Sequence, residues 1–320
     1  MAPYAGIELG GTKCVLAVGD GTGEAWDATV IPTGDPEATT TAAKEWFQEV
    51  ARRAETLLAL GVASFGPLEE DSGAIAKATP KIAWRGWPVR AAFEEALALE
   101  VKLDTDVNAA ALAERAWGAA QGCSDMLYVT IGTGIGVGAI ANGDLVHGRS
   151  HPEMGHMPVP QHPDDRDPSD PAKLWAGNCV IHGNCWEGLA AGPARKKRAE
   201  LWAQAGGETP DLVLLESEYI AVGLAVLICC YRPQRIVLGG GVLHDPALLP
   251  RIQFRTPELL DVGYFPEATR IDELIVSPGL GDAAGVAGAI LLAAEKRPGH
   301  LPPRSLASLA AQIEEGLARL

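Results

Sequence analysis

Residues 4–18 read YAGIELGGTKCVLAV. Two short apolar runs, 4–9 and 14–18, are joined by Gly10, Gly11, Thr12 and Lys13, and the pattern predicts a β-hairpin closed by a glycine-rich turn. Adjacent glycines let backbone N–H groups approach a phosphate closely, while Thr12 and Lys13 add a hydroxyl and a positive charge. Taken alone the turn suits any hairpin, and it is not a P-loop, because the G-x4-G-K-[ST] spacing is absent. Its weight comes from a second copy. Residues 125–138, DMLYVTIGTGIGVG, set a strong strand before Gly132, Thr133 and Gly134. They again read as two strands around a glycine turn, not as a strand-to-helix dinucleotide turn. Two glycine hairpins, each opening an α/β segment, predict a duplicated α/β architecture with a phosphate group held between the halves.

The stretches between and after the hairpins supply the rest of each segment. Residues 36–56 predict a helix and 57–65 a buried strand, ended by Gly66 and Pro67. A further strand is expected over 73–78. The loop 79–88 carries Trp84 and Trp87, either as a stiff wall for a ligand or as packing for a long connection. Residues 101–103 read as a strand that runs into Asp104, Thr105 and Asp106 and then an Ala-rich helix, 109–120. Open α/β sheets gather ligands at such strand ends, where a carboxylate can serve as a general base. An Asp there also suits a helix N-cap, and position alone favours the cap. Further on come a long apolar helix over 211–231 and a strand over 235–238. The strand runs into Gly239, Gly240 and Gly241, which would let the backbone lie flat against a ligand. Residues 248–260 read as partly helical, 274–276 as a strand and 283–295 as an Ala/Gly-rich helix. Leu306, Leu309, Ile313 and Leu317 mark an amphipathic C-terminal helix.

Residues 147–193 stand apart. They hold HGRSHPEMGHMPVP and, after a polar insert, GNCVIHGNCWEGLAAGP. Cys179, His182 and Cys185 follow a C-x2-H-x2-C spacing in a Gly/Asn-rich turn, which suits a tetrahedral structural Zn²⁺. The alternative is a Cys/His turn without metal. A fourth ligand must come from elsewhere, and spacing does not choose among His151, His156 and His162. Glu153 and Glu187 bracket the motif, so a zinc clip could fix two carboxylates that do something else.

Composition narrows the field. The chain has 320 residues, enough for two domains, with 47% hydrophobic and 21% charged residues. The net charge of −15 argues against a nucleic-acid surface, which needs basic patches to neutralise phosphate. No signal-peptide pattern opens the chain, and no stretch reads as long and apolar enough to span a bilayer. Six scattered cysteines do not form a secreted disulfide framework, so a reduced, cytoplasmic setting is expected.

These motifs, taken together and in order, resemble those of the ROK family of sugar kinases, within the actin-like ATPase fold, and more narrowly its bacterial fructokinase branch. The residues that carry the resemblance are IELGGTK (7–13), SFGP (64–67), TPK (79–81), DVNAAALAE (106–114), IGTGIGVG, HPEMGHMPV, CVIHGNCWEGLAAGP, IVLGGGV and GLGDAAGVAGA. The resemblance implies a duplicated, ribonuclease H-like two-domain α/β kinase. Its N-terminal domain would cover 1–107, joined by the C-terminal helix 297–320. Its larger domain would cover 108–296, with the zinc loop at 151–190.

It also implies roles. Gly10, Gly11, Thr12 and Lys13 match the first phosphate loop, Gly132, Thr133 and Gly134 the second, and Gly239, Gly240 and Gly241 the nucleotide-side glycines. Asp106 matches the catalytic base. Gly66, Pro67, Thr105, Asp106, Glu153, His156 and Glu187 match the sugar-binding positions. The implied zinc set is His156, Cys179, His182 and Cys185, and Glu8 takes the place of an Asp that helps to position Mg²⁺. ATP is the implied co-substrate, fructose the implied sugar, and a homodimer the implied assembly.

Glu8, Thr105 in place of an Asn, and His182 in place of a cysteine all point away from a glucose specialist. A mannokinase or broad hexokinase is the runner-up, and a non-catalytic sugar-binding regulator the competing class. The family's helix-turn-helix repressors are not expected, because the first phosphate loop falls within the first dozen residues.

Overall fold

A computed structural model describes residues 3–23, 25–53, 56–206, 211–295 and 307–320. The chain forms two compact units, one of residues 1–124, 138–152 and 278–320, the other of 125–137 and 153–277. This division differs from the expected boundary at 107/108, since the helix that begins at Asp106 packs within the first unit.

The first unit is built on β1 (Tyr4–Leu9), β2 (Lys13–Gly19), β3 (Ala25–Pro32), β4 (Ala59–Ser64) and β5 (Glu100–Thr105), ordered β3-β2-β1-β4-β5. β1 and β2 form the expected antiparallel hairpin, and β1, β4 and β5 run parallel. Helices α1 (Pro36–Arg53), α2 (Val89–Leu97), α3 (Asp106–Trp117), α9 (Ala284–Ala294) and α10 (Ala307–Leu317) complete it. Strand alternation divides the core in two. Cys14, Leu16 and Val18 of β2 join Phe47 of α1 and Phe93 of α2. Val15 and Ala17 join Ala113 of α3, Val286 of α9 and Leu309 and Ile313 of α10. The last two confirm the amphipathic C-terminal helix, although Leu306 and the rest of 297–306 lie outside the described residues. A Cβ on Gly61 would stand 1.7 Å from the Ala289 carbonyl oxygen, and one on Gly288 1.8 Å from that of Ala109. Glycine therefore lets α9 seat directly on β4 and α3.

The second unit contains β6 (Met126–Ile131), the start of β7 (Ile135–Ala141), β11 (Arg235–Gly239) and β12 (Ile275–Val276); β7 continues into the first unit, where it pairs with β8 (Asp144–Leu145). The sheet order is β12-β11-β6-β7-β8, with β6, β11 and β12 parallel. Counted from its own first strand, each sheet runs third, second, first, fourth, fifth. The duplication expected from two glycine hairpins is thus present as two sheets of one strand order. The remaining elements are the hairpin β9 (Arg166–Asp167) and β10 (Asp170–Leu174), with α4 (Trp186–Ala190), α5 (Gly192–Ala205), α6 (Leu212–Tyr231), α7 (Leu248–Leu259) and α8 (Ile271–Leu274).

Two expectations change, and one alternative is decided. Residues 73–78 form no strand; Ile75 makes one bridge with Leu68, and its N–H donates to Trp87 O, so the segment is part of a loop. Trp84 of the 79–88 loop is core, 2% exposed, with Nε1 donating to Gly34 O at 3.1 Å. α6, contrary to the expectation that no stretch is long enough, has the length and composition to cross a membrane. Most of that run is buried, and it packs against α4 and α7.

The core of the second unit is also polar. Arg198 of α5 makes a two-pronged pair with Asp165 at 2.8 and 3.0 Å, and Tyr219 OH donates to the same carboxylate at 2.7 Å. The guanidinium stacks 4.3 Å from the Trp175 ring centroid, so one buried cation ties the polar insert to α5 and α6. Glu216 lies nearby with both carboxylate oxygens buried and without hydrogen-bond partners. Burial pushes its carboxyl up to about 8, with Arg198 and Arg195 opposing. The native state therefore holds a proton that the unfolded chain releases near 4.5, and stability falls as pH rises from there to about 8. Denaturation midpoints measured across this window should flatten in Glu216→Gln. An unchanged slope contradicts the assignment.

Candidate functional site

In the first unit the functional side chains collect at the carboxyl ends of the parallel strands. Register sets Leu9 beside Ser64 and Ser64 beside Thr105. The Gly10–Lys13 turn, Gly66 with Pro67, and Thr105 with Asp106 therefore leave the sheet at the same edge. The Gly10 N–H donates to Lys13 O at 3.0 Å, and Thr33 Oγ1 donates to Gly10 O at 2.8 Å, which fixes the turn. Lys81 Nζ donates to Gly11 O. Lys81 was quoted in the TPK motif without a role of its own; only the fold brings it to this turn.

Position alone favoured Asp106 as the helix cap. The cap of α3 is instead Thr105, whose hydroxyl accepts from Asn108 N at 3.3 Å, and Asp106 is the first helical residue, its Oδ1 accepting from Val107 N at 2.9 Å. Glu8, one residue before the end of β1, faces it electrostatically. Burial, and then the Asp106 carboxylate, push the Glu8 carboxyl up to about 7, against the pull of Lys13. Glu8 Oε2 is buried without a hydrogen-bond partner. Lys13 Nζ stands 3.6 Å from Asp282 Oδ2, which adds a third carboxylate to this edge. A cluster of hard oxygen donors with one buried and unsatisfied atom fits a divalent cation of the Mg²⁺ type.

The second unit brings the other two glycine groups together. Gly239 ends β11 opposite Thr130 of β6, so Gly239, Gly240 and Gly241 lie beside Gly132, Thr133 and Gly134 at neighbouring strand ends. The N-terminus of α5 joins them, with Gly192 N donating to Gly132 O at 2.8 Å. Glu187, in the first turn of α4, accepts from Ile135 N at 3.0 Å through Oε2. A Cβ on Gly134 would sit 2.5 Å from that oxygen, so the glycine turn is shaped to the carboxylate.

The metal question left open by spacing has a geometric answer. Among the described residues, His156, Cys179, His182 and Cys185 offer ligand atoms all within 4.8 Å of one another. His156 Nδ1 is 3.5 Å from Cys185 Sγ and 3.7 Å from Cys179 Sγ, and His182 Nδ1 is 4.0 Å from Cys179 Sγ. Zinc bonds of about 2.0–2.1 Å to nitrogen and 2.3 Å to sulfur would set ligand atoms roughly 3.3–3.8 Å apart, so the quartet needs little adjustment. A tight turn delivers two of the ligands: Cys179 and Gly183 exchange both backbone hydrogen bonds at 2.9 Å. The neighbouring Trp186 is buried, its Nε1 donating to Tyr219 O at 2.9 Å. His162 is occupied elsewhere, its Nδ1 accepting from Asp164 N at 3.2 Å, and His151 lies by Thr105. Glu187 Oε1 stands 3.9 Å from His156 Nδ1. Glu153 precedes the short turn Met154–His156. Its carboxyl is raised by partial withdrawal from water, with Glu187 adding to the shift and His156 opposing it.

A family model described as the ROK family matches residues 4–296. A fructokinase of Zymomonas mobilis is 41% identical over 301 residues, spanning 91% of this chain and 96% of its own length. A fructokinase of Pediococcus pentosaceus is 36% identical, spanning 90% of this chain and 96% of its own. Among solved structures, the ROK hexokinase from Thermus thermophilus superposes with a TM-score of 0.71 at 31% identity, covering 92% of this chain and 98% of that one. With matching motifs, a duplicated sheet order and whole-length likeness in hand, the chain belongs to the ROK family.

Proposed function

We propose that the protein is an ATP-dependent fructose kinase, converting fructose and ATP to fructose 6-phosphate and ADP, with Asp106 as general base. The observation that carries this reading is the strand-end edge of the first unit. Asp106 opens α3 at the end of β5, and its carboxylate raises that of Glu8 at the edge that also carries Lys13 and the first glycine turn. The likeness to fructokinases supplies the sugar. Asp106 accepts the proton of the 6-hydroxyl as that oxygen attacks the γ-phosphoryl group. Phosphoryl transfer has a loose transition state, so most of the acceleration comes from positioning and charge stabilisation. The turns at Gly10–Gly11 and Gly132–Gly134, with Thr12, Thr133 and Lys13, hold the phosphates, and Gly239, Gly240 and Gly241 border the nucleotide. Glu8 would hold Mg²⁺, which would supply positive charge beside the phosphates. Gly66, Pro67, Thr105, Glu153, His156 and Glu187 bind the sugar.

His156, Cys179, His182 and Cys185 would hold a structural Zn²⁺, which would keep the loop that carries these groups rigid. A full ligand set leaves no open position for a metal-bound water. The protein acts as a homodimer in the cytoplasm, where the thiols of Cys179 and Cys185, which form no disulfide, stay reduced for the metal.

Substrate choice is tested by kcat/KM for fructose, mannose, glucose and N-acetylmannosamine with Mg-ATP. Fructose should lead. Activity spread over mannose and glucose keeps the chemistry and moves the protein to a broad hexokinase. No phosphorylation of any sugar by folded, metal-loaded protein sinks the kinase reading.

A further inference from the structure

After β8, residues 146–152 fold back onto the junction of β5 and α3 within the first unit. Two histidines hold the segment there. His147 Nε2 donates to Asp104 Oδ2 at 2.9 Å, and His151 Nδ1 lies 3.4 Å from Thr105 Oγ1. Asp104 is a buried organiser, its Oδ1 also accepting from Thr105 N at 2.7 Å and from Asn108 Nδ2 at 2.8 Å. Asp104 and Thr105 immediately precede Asp106. Neither histidine belongs to the metal quartet.

The contacts around Thr105 bear on the state of His151. The Thr105 oxygen already accepts the Asn108 N–H as the helix cap. Its hydroxyl proton and second lone pair remain, and the hydroxyl can donate to His151 Nδ1 at 3.4 Å. An accepting Nδ1 places the ring proton on Nε2. Burial also lowers the His151 imidazole, with Asp104 opposing, which favours the neutral ring. With Nδ1 accepting from Thr105, His151 presents an oriented Nε2–H donor, and Nε2 meets no partner among the described residues. An Asn at position 105 would offer an amide donor of its own. Thr105 cannot, because its hydroxyl is engaged on both sides. The donor missing from residue 105 is found on His151.

We propose that His151 is a specificity-determining sugar contact, its Nε2–H donating to a hydroxyl oxygen of the hexose whose 6-hydroxyl Asp106 deprotonates. Thr105 sets the tautomer, and the His147–Asp104 pair holds the segment. The inference rests on the kinase reading above.

The test compares wild type with His151→Gln and His151→Asn. The Gln amide nitrogen reaches where Nε2 stands, whereas the Asn amide ends near Nδ1. Fructose KM should rise about tenfold in His151→Asn, the effect of losing one hydrogen bond to substrate. Its kcat should stay within a few-fold, with KM for ATP and Tm unchanged. His151→Gln should recover most of the fructose KM. Calorimetric titration with fructose in the absence of ATP should show the same order of affinities. Equal KM values in all three proteins, or equal losses in both variants, overturn the proposal. If the wild type binds fructose but transfers no phosphoryl group, the kinase reading fails while the titration still decides the role of His151. If it binds no sugar, both fall.

Discussion

Replacing Asp106 by Asn is expected to lower kcat by about 10²–10⁴-fold, the usual worth of a positioned general base. Fructose affinity should stay within a few-fold. The substitution separates two roles that position 106 could have had. If Asp106 were only the cap of α3, Asn would cap equally well and leave both stability and chemistry alone. As a base, its loss raises the barrier by roughly 3–5 kcal/mol without unfolding anything. The structure gives the cap to Thr105, and the Asn carbonyl can still accept from Val107 N, so the helix start should survive. Steady-state kinetics, a fructose titration and a melting curve on one preparation check all three parts. Near-normal turnover sinks the base assignment, and a large drop in Tm with proportionate loss of activity returns Asp106 to a structural role.

Removing the metal should be the costliest change to stability. Cys179→Ser is expected to abolish stoichiometric zinc and to destabilise by about 4 kcal/mol, or roughly 10 °C in Tm, the range in which loss of a metal site stands out from ordinary substitutions. The Cys179–Gly183 turn exposes its apolar side chains, with Val180 92% and Ile181 61% exposed, so a metal at the quartet would supply what a core otherwise would. Sugar affinity should fall together with stability, because His156 belongs both to the quartet and to the proposed sugar contacts, and Glu187 stands 3.9 Å from it. Burial pushes the Cys185 thiol up to about 11, so metal entry must release its proton, and zinc affinity should strengthen as pH rises. Metal analysis of protein prepared without chelator, with melting curves of wild type and variant, reads the result. A wild type free of zinc, or a variant of equal Tm, contradicts the structural role.

Local signals carried the sequence reading where chemistry is local. Both glycine hairpins were legible because strand, turn and strand are adjacent in the chain. Their shared sheet order was not, since it depends on β4 and β11 pairing with strands far away in sequence. Position alone put the cap at Asp106 because Thr105 and Asp106 are both good capping residues, and only the backbone shows that Thr105 is the one that caps. Spacing left three histidines for the fourth metal position; the fold sends His151 to Thr105 and His162 to Asp164, which leaves His156 facing the two sulfurs. α5 escaped notice because GPARKKRAELWAQA carries no apolar stripe and buries only Ala194 and Arg198. Residues 73–78 looked like a strand by composition, but Ile75 pairs with Gly86 and Trp87 while Ala74 and Ala76 pair with Glu69 and Pro67. The functional pairings of Lys81, Asp282, His147 and His151 join residues far apart in sequence and had no local signature.

The central claim is transfer of a phosphoryl group to a named oxygen, and the product itself tests it most directly. Purified protein with Mg-ATP and fructose, followed by phosphorus and carbon NMR, should yield fructose 6-phosphate and an equal amount of ADP. Fructose 1-phosphate would show that Asp106 serves a different hydroxyl, and ADP without any phosphorylated sugar would contradict the account.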